Sequence, residues 1–118
     1  MKILDVENHT VLSVTVVRQF LSRHSVTVVP SIAEARQVLA TGKFDLLLVD
    51  YDLDDGKGDT LVREVRASDD HAIIIGVSAH DEGNAALRYA GASAICSKGE
   101  LDRIQTVIER VTRKPSKQ

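Results

Sequence analysis

Asp50 closes the most apolar stretch of the chain, Phe44-Asp45-Leu46-Leu47-Leu48-Val49-Asp50. Carboxylates are rarely drawn to the end of such a run unless chemistry requires them there. Other polar groups stand just past the remaining apolar runs: Glu7 and Asn8 after Ile3–Val6, Ser78 after Ile73–Val77, and Lys98 after Ala94–Ser97. An acid, an amide, a central aspartate, a hydroxyl and an amine together suit phosphoryl transfer to a carboxylate. Asp50 is the candidate nucleophile, attacking the phosphorus of a phosphohistidine or a small phosphodonor. Carboxylate and phosphoryl group are both anionic, so a cation must lie between them. Mg²⁺ held by oxygens of Glu7 and Asp50 would supply that charge. Lys98 would pair with the phosphoryl oxygens as a point charge, and Ser78 would donate its hydroxyl hydrogen to the same group. Such a transfer asks for little beyond positioning and charge neutralisation.

These side chains meet only if the strand ends converge. Short apolar runs alternate with segments of helical period along the whole chain. Strands are predicted at Ile3–Val6, Val26–Val29, Phe44–Asp50, Ile73–Val77 and Ala94–Ser97. A helix over Thr10–Arg23 places Leu12, Val16, Phe20 and Leu21 on one face,. Pro30 ends the second strand, and Ser31 followed by Glu34 is the signature of a capping box opening a helix to about Thr41, stopped by Gly42,. A polar loop spans Tyr51–Gly58. Helices follow at about Asp59–Ala67, Glu82–Ala90 and Leu101–Val111, the last turning Leu101, Ile104, Val107, Ile108 and Val111 inward. The near-continuous apolar character of Leu46–Val49 and Ile73–Ile75 suits strands covered on both faces. Five strands alternating with five helices imply an α/β domain with a parallel sheet between two helical layers. Ligands of such sheets sit beyond the carboxyl ends of the strands, where strand order reverses.

The 118 residues fit one domain, read as 1–113 with a frayed tail at 114–118,. A hydrophobic fraction of 43% supplies one core, and a net charge of -2 with mixed signs argues against direct nucleic-acid binding,. The single cysteine, Cys96, excludes an internal disulfide and reads as a small buried hydrophobe,. No apolar run approaches the length of a membrane span, and the expectation is a cytoplasmic protein with no membrane association.

The sequence resembles the response-regulator receiver domains of two-component signalling over essentially its whole length. Ile3-Leu4-Asp5-Val6-Glu7-Asn8-His9 matches the acidic end of the first strand, Leu47-Leu48-Val49-Asp50 the phosphoacceptor, and Val77-Ser78-Ala79 the switch strand end. Gly58 falls eight residues after Asp50, Asp55-Gly56 matches a common variant of that loop, Ala90-Gly91-Ala92 the turn before the fifth strand, and Ser97-Lys98 the lysine position. The resemblance implies a flavodoxin-like (βα)5 sandwich of strand order 2-1-3-4-5. It implies phosphorylation of Asp50 by a histidine kinase or phosphotransfer protein, with Mg²⁺ on Glu7, Asn8, Asp50 and the backbone carbonyl of Asp52. It further implies that Ser78 moves toward the phosphate, that the residue at Ile95 responds, and that the face formed by helix 4, strand 5 and helix 5 meets a downstream protein partner. His80, two residues past Ser78, stands where the family tunes dephosphorylation; the plainer alternative is a solvent-edge histidine.

The chain departs from the family pattern in places. Asn8 stands where a second acid is usual, so Mg²⁺ is expected to bind more weakly than at a Glu-Asp pair. Taking Asp5 as the missing acid would put Arg18 on the core face of the first helix, so Glu7 and Asn8 are preferred, leaving Asp5 inside a buried strand. Asp54 replaces a frequent proline. Gly99 replaces another, so a cis peptide after Lys98 is not expected and the loop carrying Lys98 should be less rigid. Ile95 lacks the family's aromatic ring. These changes keep open a second reading, a degenerate receiver that acts as a phosphorylation-independent interaction module. Asp50-x-Asp52 also resembles the haloacid dehalogenase phosphatases, though those carry the motif near the chain start with a longer catalytic domain behind it. A calcium loop at Asp50–Leu61 fails, because Asp55 stands where the glycine is needed and Leu61 where the glutamate is,.

Overall fold

The computed structural model describes residues 1–113; the tail assigned to 114–118 lies outside the described residues. Five parallel strands, β1 (Lys2–Val6), β2 (Ser25–Val29), β3 (Leu46–Asp50), β4 (Ile74–Ser78) and β5 (Ala94–Ser97), form one sheet in the order β2-β1-β3-β4-β5. The helices are α1 (Thr10–Phe20), α2 (Ile32–Thr41), α3 (Gly58–Ser68), α4 (Asp81–Ala90) and α5 (Ile104–Thr112), the last preceded by a 3₁₀ turn over Lys98–Arg103. This is the flavodoxin-like α/β fold and strand order implied by the sequence. No described helix is long and apolar enough to cross a membrane.

Alternation along the strands divides the core into two layers. Leu4, Val6, Leu47, Val49 and Ile74 face Ile32, Ala35, Leu61, Val62 and Leu87 on one side. Ile3, Leu46, Leu48, Ile75 and Val77 face Val16, Leu21, Ile104, Val107 and Ile108 on the other. All five residues of β3 and all five of β4 are buried, as strands covered on both faces must be,.

Local signals behave as their chemistry dictates. Ser31 Oγ accepts the Glu34 backbone N–H at 3.2 Å and starts α2,. Gly91, at φ 122°, ends α4 in a backbone conformation that side chains resist,. Arg66 then fixes the turn into β5, donating from its guanidinium to the carbonyls of Gly91, Asp70 and Ala72.

Three expectations need correction. Leu12 is turned outward, and Ser13 takes the inner position with Val16 and Leu21, while Phe20 is only partly buried. The loop after Asp50 contains a small hairpin, Asp52–Leu53 against Gly56–Lys57, turned at Gly56 (φ 150°). The last helix begins later than its apolar pattern suggests, because Lys98–Arg103 winds more tightly and Glu100 breaks the helical dihedrals. All described peptide bonds are trans, including the one after Lys98.

Asp5 is 8% exposed and lies in β1 opposite Val28 and Leu48. Burial pushes its carboxyl up to about 7, with Ser13 and Lys98 pulling the other way and Asp50 adding to the rise,. The small Ser13 side chain makes room for it, although the Ser13 hydroxyl is itself buried without a well-formed hydrogen bond. A folded-state pKa above the ordinary 3.8 means the native protein retains a proton that the unfolded chain releases,. Stability in metal-free buffer should therefore be greatest below about pH 4 as far as this group is concerned, and fall as pH rises toward 7,. Urea unfolding at pH 5 and pH 8 tests this: Asp5→Asn is expected to gain more at pH 8 than at pH 5, by about 1 kcal/mol or more. Equal gains at both values would show that Asp5 carries no such burden.

Candidate functional site

Register brings the site together. Val6 lies opposite Val49, Asp50 opposite Val77, and Ser78 opposite Ser97. Glu7, Asp50, Ser78 and Lys98, each at or one residue past its strand's end, therefore share the carboxyl edge of the sheet. Strand order reverses there, since β1 leads outward to β2 on one side and β3 to β4 on the other,.

Asp50, Glu7 and Ser78 are 3%, 6% and 1% exposed. Lys98 Nζ bridges the two carboxylates, 3.0 Å from Glu7 Oε1 and 3.1 Å from Asp50 Oδ2. The other oxygen of Asp50 accepts the Tyr51 backbone N–H at 2.9 Å. Burial raises the Asp50 carboxyl to about 7, and the adjacent Glu7 carboxylate adds to the effect, which Lys98 only partly offsets,. Burial works against the Lys98 ammonium, but Glu7 and Asp50 outweigh it and hold its pKa above the ordinary lysine value. The arrangement is short of positive charge by about one group: two buried carboxylates share a single lysine.

Gly58 makes the approach of the next loop possible. Its N–H donates to Tyr51 O at 2.7 Å, and a Cβ there would stand 1.9 Å from the Asp50 carbonyl oxygen,. The acidic residues of that loop do not converge on one point. Asp52 is exposed and paired with Lys57. Asp54 accepts the Asn8 Nδ2–H at 3.1 Å. Asp55 accepts the Ile32 and Ala33 N–H groups at 2.9 and 3.0 Å, tying the loop to the start of α2,.

The residues expected to hold a divalent cation fit that role in part on their own showing. Glu7 Oε2 and Asn8 Oδ1 are buried oxygens without a hydrogen-bond partner. Such atoms are costly unless something binds them. Among the described residues no three His, Cys, Asp or Glu side chains are grouped for a metal ion. The donors available are two carboxylates with neutral oxygens, a hard set of the kind Mg²⁺ accepts.

Of the residues expected to modulate the site, His80 is exposed at the start of α4, and its backbone N–H donates to Ser78 Oγ at 3.2 Å. Ile95 is half-buried and leans toward Gly76, where a Cβ would stand 2.8 Å from Ile95 Cδ1 and equally close to Leu87. Two contributors escaped the sequence reading. Asp54 carries no local signal that it would reach Asn8. Gly83 does carry one, since a glycine in the first turns of a helix is intrinsically unfavourable. A Cβ at Gly83 would lie 2.3 Å from Ser78 Oγ and 2.9 Å from the Tyr51 ring, so the absence of a side chain is what lets α4 seat against Ser78 and Tyr51.

The fold has close counterparts among two-component proteins. A two-component response regulator from Clostridium difficile superposes with a TM-score of 0.86 at 19% identity, covering 97% of each chain. The response regulator TrrA from Thermotoga maritima, solved in complex with Mg²⁺ and BeF, gives 0.84 at 18% identity over 93% of this chain and 97% of its own. A CheY-like receiver domain protein from Methanospirillum hungatei gives 0.80 at 21% identity over 93% and 92%. No curated protein matches the chain significantly. The sequence itself matches the family described as response regulator receiver domain across residues 3–109. A match of that span, on this strand order and with an aspartate at the end of the central strand, has one consequence: the chain belongs to the response regulator receiver domain family.

Proposed function

We propose that the chain is a phosphoacceptor switch in which Asp50 receives a phosphoryl group from a histidine kinase or a phosphotransfer protein. The observation that carries this reading is the pairing of Lys98 with both Glu7 and Asp50 at the carboxyl edge of the sheet. An Asp50 oxygen attacks phosphorus, and the bond from phosphorus to the donor's imidazole nitrogen, or to acetate in a small donor, breaks as the acyl phosphate forms. The Tyr51 N–H holds the second Asp50 oxygen and fixes the carboxylate plane. Lys98 exchanges part of its present pairing for the phosphoryl oxygens. Glu7, Asn8, Asp50 and the Asp52 backbone carbonyl would hold Mg²⁺, which supplies when bound the positive charge this site lacks. Asp52 and His80, both exposed and two residues beyond Asp50 and Ser78, would influence hydrolysis of the acyl phosphate.

The output is read through α4. Ser78 Oγ packs against Gly83 and accepts from His80 N–H, and Asn84 Nδ2 donates to Ser97 Oγ at 3.2 Å, one residue before Lys98. A Ser78 hydroxyl drawn toward a phosphoryl group leaves Gly83, and the first turn of α4 loses its seat. Ile95 has no ring to swing, so the helix itself is the moving element. The adjoining face of β5 and α5 holds a cleft of about 220 Å³ lined in part by Ile95, Ser97, Arg103, Val107 and Arg110, a surface for the downstream partner. The competing reading, an interaction module independent of phosphorylation, draws its support from Asn8 in place of an acid.

Incubation with acetyl phosphate and Mg²⁺ followed by intact-mass measurement decides between the two. One added phosphoryl group is expected, absent from Asp50→Ala and absent without Mg²⁺. No adduct, together with no response to beryllofluoride, would leave only the interaction module. The α4 readout has its own test. Gly83→Ala should displace Ser78 or α4, shift the amide resonances of residues 80–85 toward those of the beryllofluoride form, and cost about 1–3 kcal/mol of stability as overpacking does. Wild-type resonances in that variant would contradict the α4 route.

A further inference from the structure

Asn8 and Asp54 come from distant parts of the chain, and their contact fixes something that neither residue fixes alone. An asparagine amide presents a donor on one branch and an acceptor on the other. A carboxylate only accepts. Because Asp54 Oδ1 lies 3.1 Å from Asn8 Nδ2, the amide NH₂ must face Asp54, and Oδ1 must face away from it. That oxygen is buried and has no hydrogen-bond partner, as is Glu7 Oε2 on the preceding residue. Glu7 as a whole is only 6% exposed. Two orphaned buried oxygens on adjacent residues beside Asp50 suit a cation more readily than a satisfied apolar core,.

We propose that Asp54 is a positioning residue for the divalent-cation site: by accepting the Asn8 Nδ2–H it holds the amide with Oδ1 turned in as a neutral oxygen ligand. Without Asp54 the amide is free to flip and present its NH₂ group, which repels a cation and competes with Lys98 for the carboxylates. The loop acid thereby makes an asparagine serviceable at a position where its own charge is absent. Asp54 is exposed, so it adds little to folding and its effect is confined to this orientation,. The inference rests on the switch reading above, because it presumes that a cation is bound there.

The test is a Mg²⁺ titration of the full chain followed by NMR. The Tyr51 backbone amide, which donates to Asp50, reports arrival of the ion, and the Asn8 side-chain amide reports orientation. Asp54→Ala is expected to weaken Mg²⁺ binding about fivefold, the factor carried by one hydrogen bond of this kind. Asp54→Asn keeps an acceptor while removing the charge, and should stay within about twofold of wild type. In an Asn8→Ala background there is no amide to orient, and Asp54→Ala should change affinity by less than about twofold. If Asp54→Asn is as weak as Asp54→Ala, or if Asp54→Ala weakens binding equally in both backgrounds, Asp54 acts as a bare charge and the proposal is overturned. It is also overturned if Asp54→Ala binds as wild type does. A wild-type chain whose Tyr51 amide ignores Mg²⁺ would instead remove the switch reading itself, which separates the two failures.

Discussion

Two buried carboxylates share one lysine at the carboxyl edge of a parallel sheet, and most of the architecture around that edge follows from keeping them there. Glu7, Asp50 and Lys98 sit in surroundings that disfavour charge, and losing Lys98, which would leave two buried carboxylates unpaired, costs on the order of 3–5 kcal/mol,. The site tolerates that because each charge is held by backbone that the fold has already fixed. β1 and β3 are hydrogen-bonded neighbours, so Glu7 and Asp50 cannot separate. β5 reaches the site only through β4, and Arg66 locks the turn from which β5 begins. The deficit of positive charge that remains is the chemical opportunity. Together with burial, the larger cause, it raises the Asp50 carboxyl to about 7 and makes the site responsive to whatever cation or phosphoryl group arrives.

The same close packing couples the site to the surface. Glycines at 58, 76 and 83 let three pieces of structure approach nearer than side chains would permit. Gly58 lets α3 start directly over the Asp50 carbonyl, Gly76 admits Leu87 and Ile95 to the strand, and Gly83 admits Ser78 to the helix. Packed interiors shift between discrete arrangements and do not deform smoothly. In the switch proposed above, a change in the position of the Ser78 hydroxyl would therefore be felt by the whole first turn of α4. Such a route from Asp50 to the surface would not depend on an aromatic ring at position 95.

Legibility of the sequence varied with the range of the interaction. The strands, the fold class and the strand-end residues were readable because apolar periodicity and local capping act within a few residues. Ser31 capping α2 and Gly91 closing α4 are cases where residue type alone dictates geometry. The phase of α1 was not readable. Valine and leucine occupy so many of its positions that several faces look apolar, and the inward place of Ser13 depends on Asp5 lying opposite. The hairpin at Asp52–Lys57 was hidden because two-residue strands carry no periodicity.

The acids of the loop after Asp50 divide what sequence determines from what tertiary structure decides. By itself the sequence determined that Asp50 ends a buried strand, that Glu7, Ser78 and Lys98 end or follow others, and that a parallel sheet would gather them. Those conclusions rest on burial patterns that any doubly covered strand must obey. Tertiary structure alone decided that Asp52 pairs with Lys57, Asp55 caps α2, and Asp54 reaches Asn8. Identical side chains, one or a few residues apart, acquire different partners because the loop's path sets which distant donor lies within about 3 Å of each, and hydrogen bonding vanishes beyond that range.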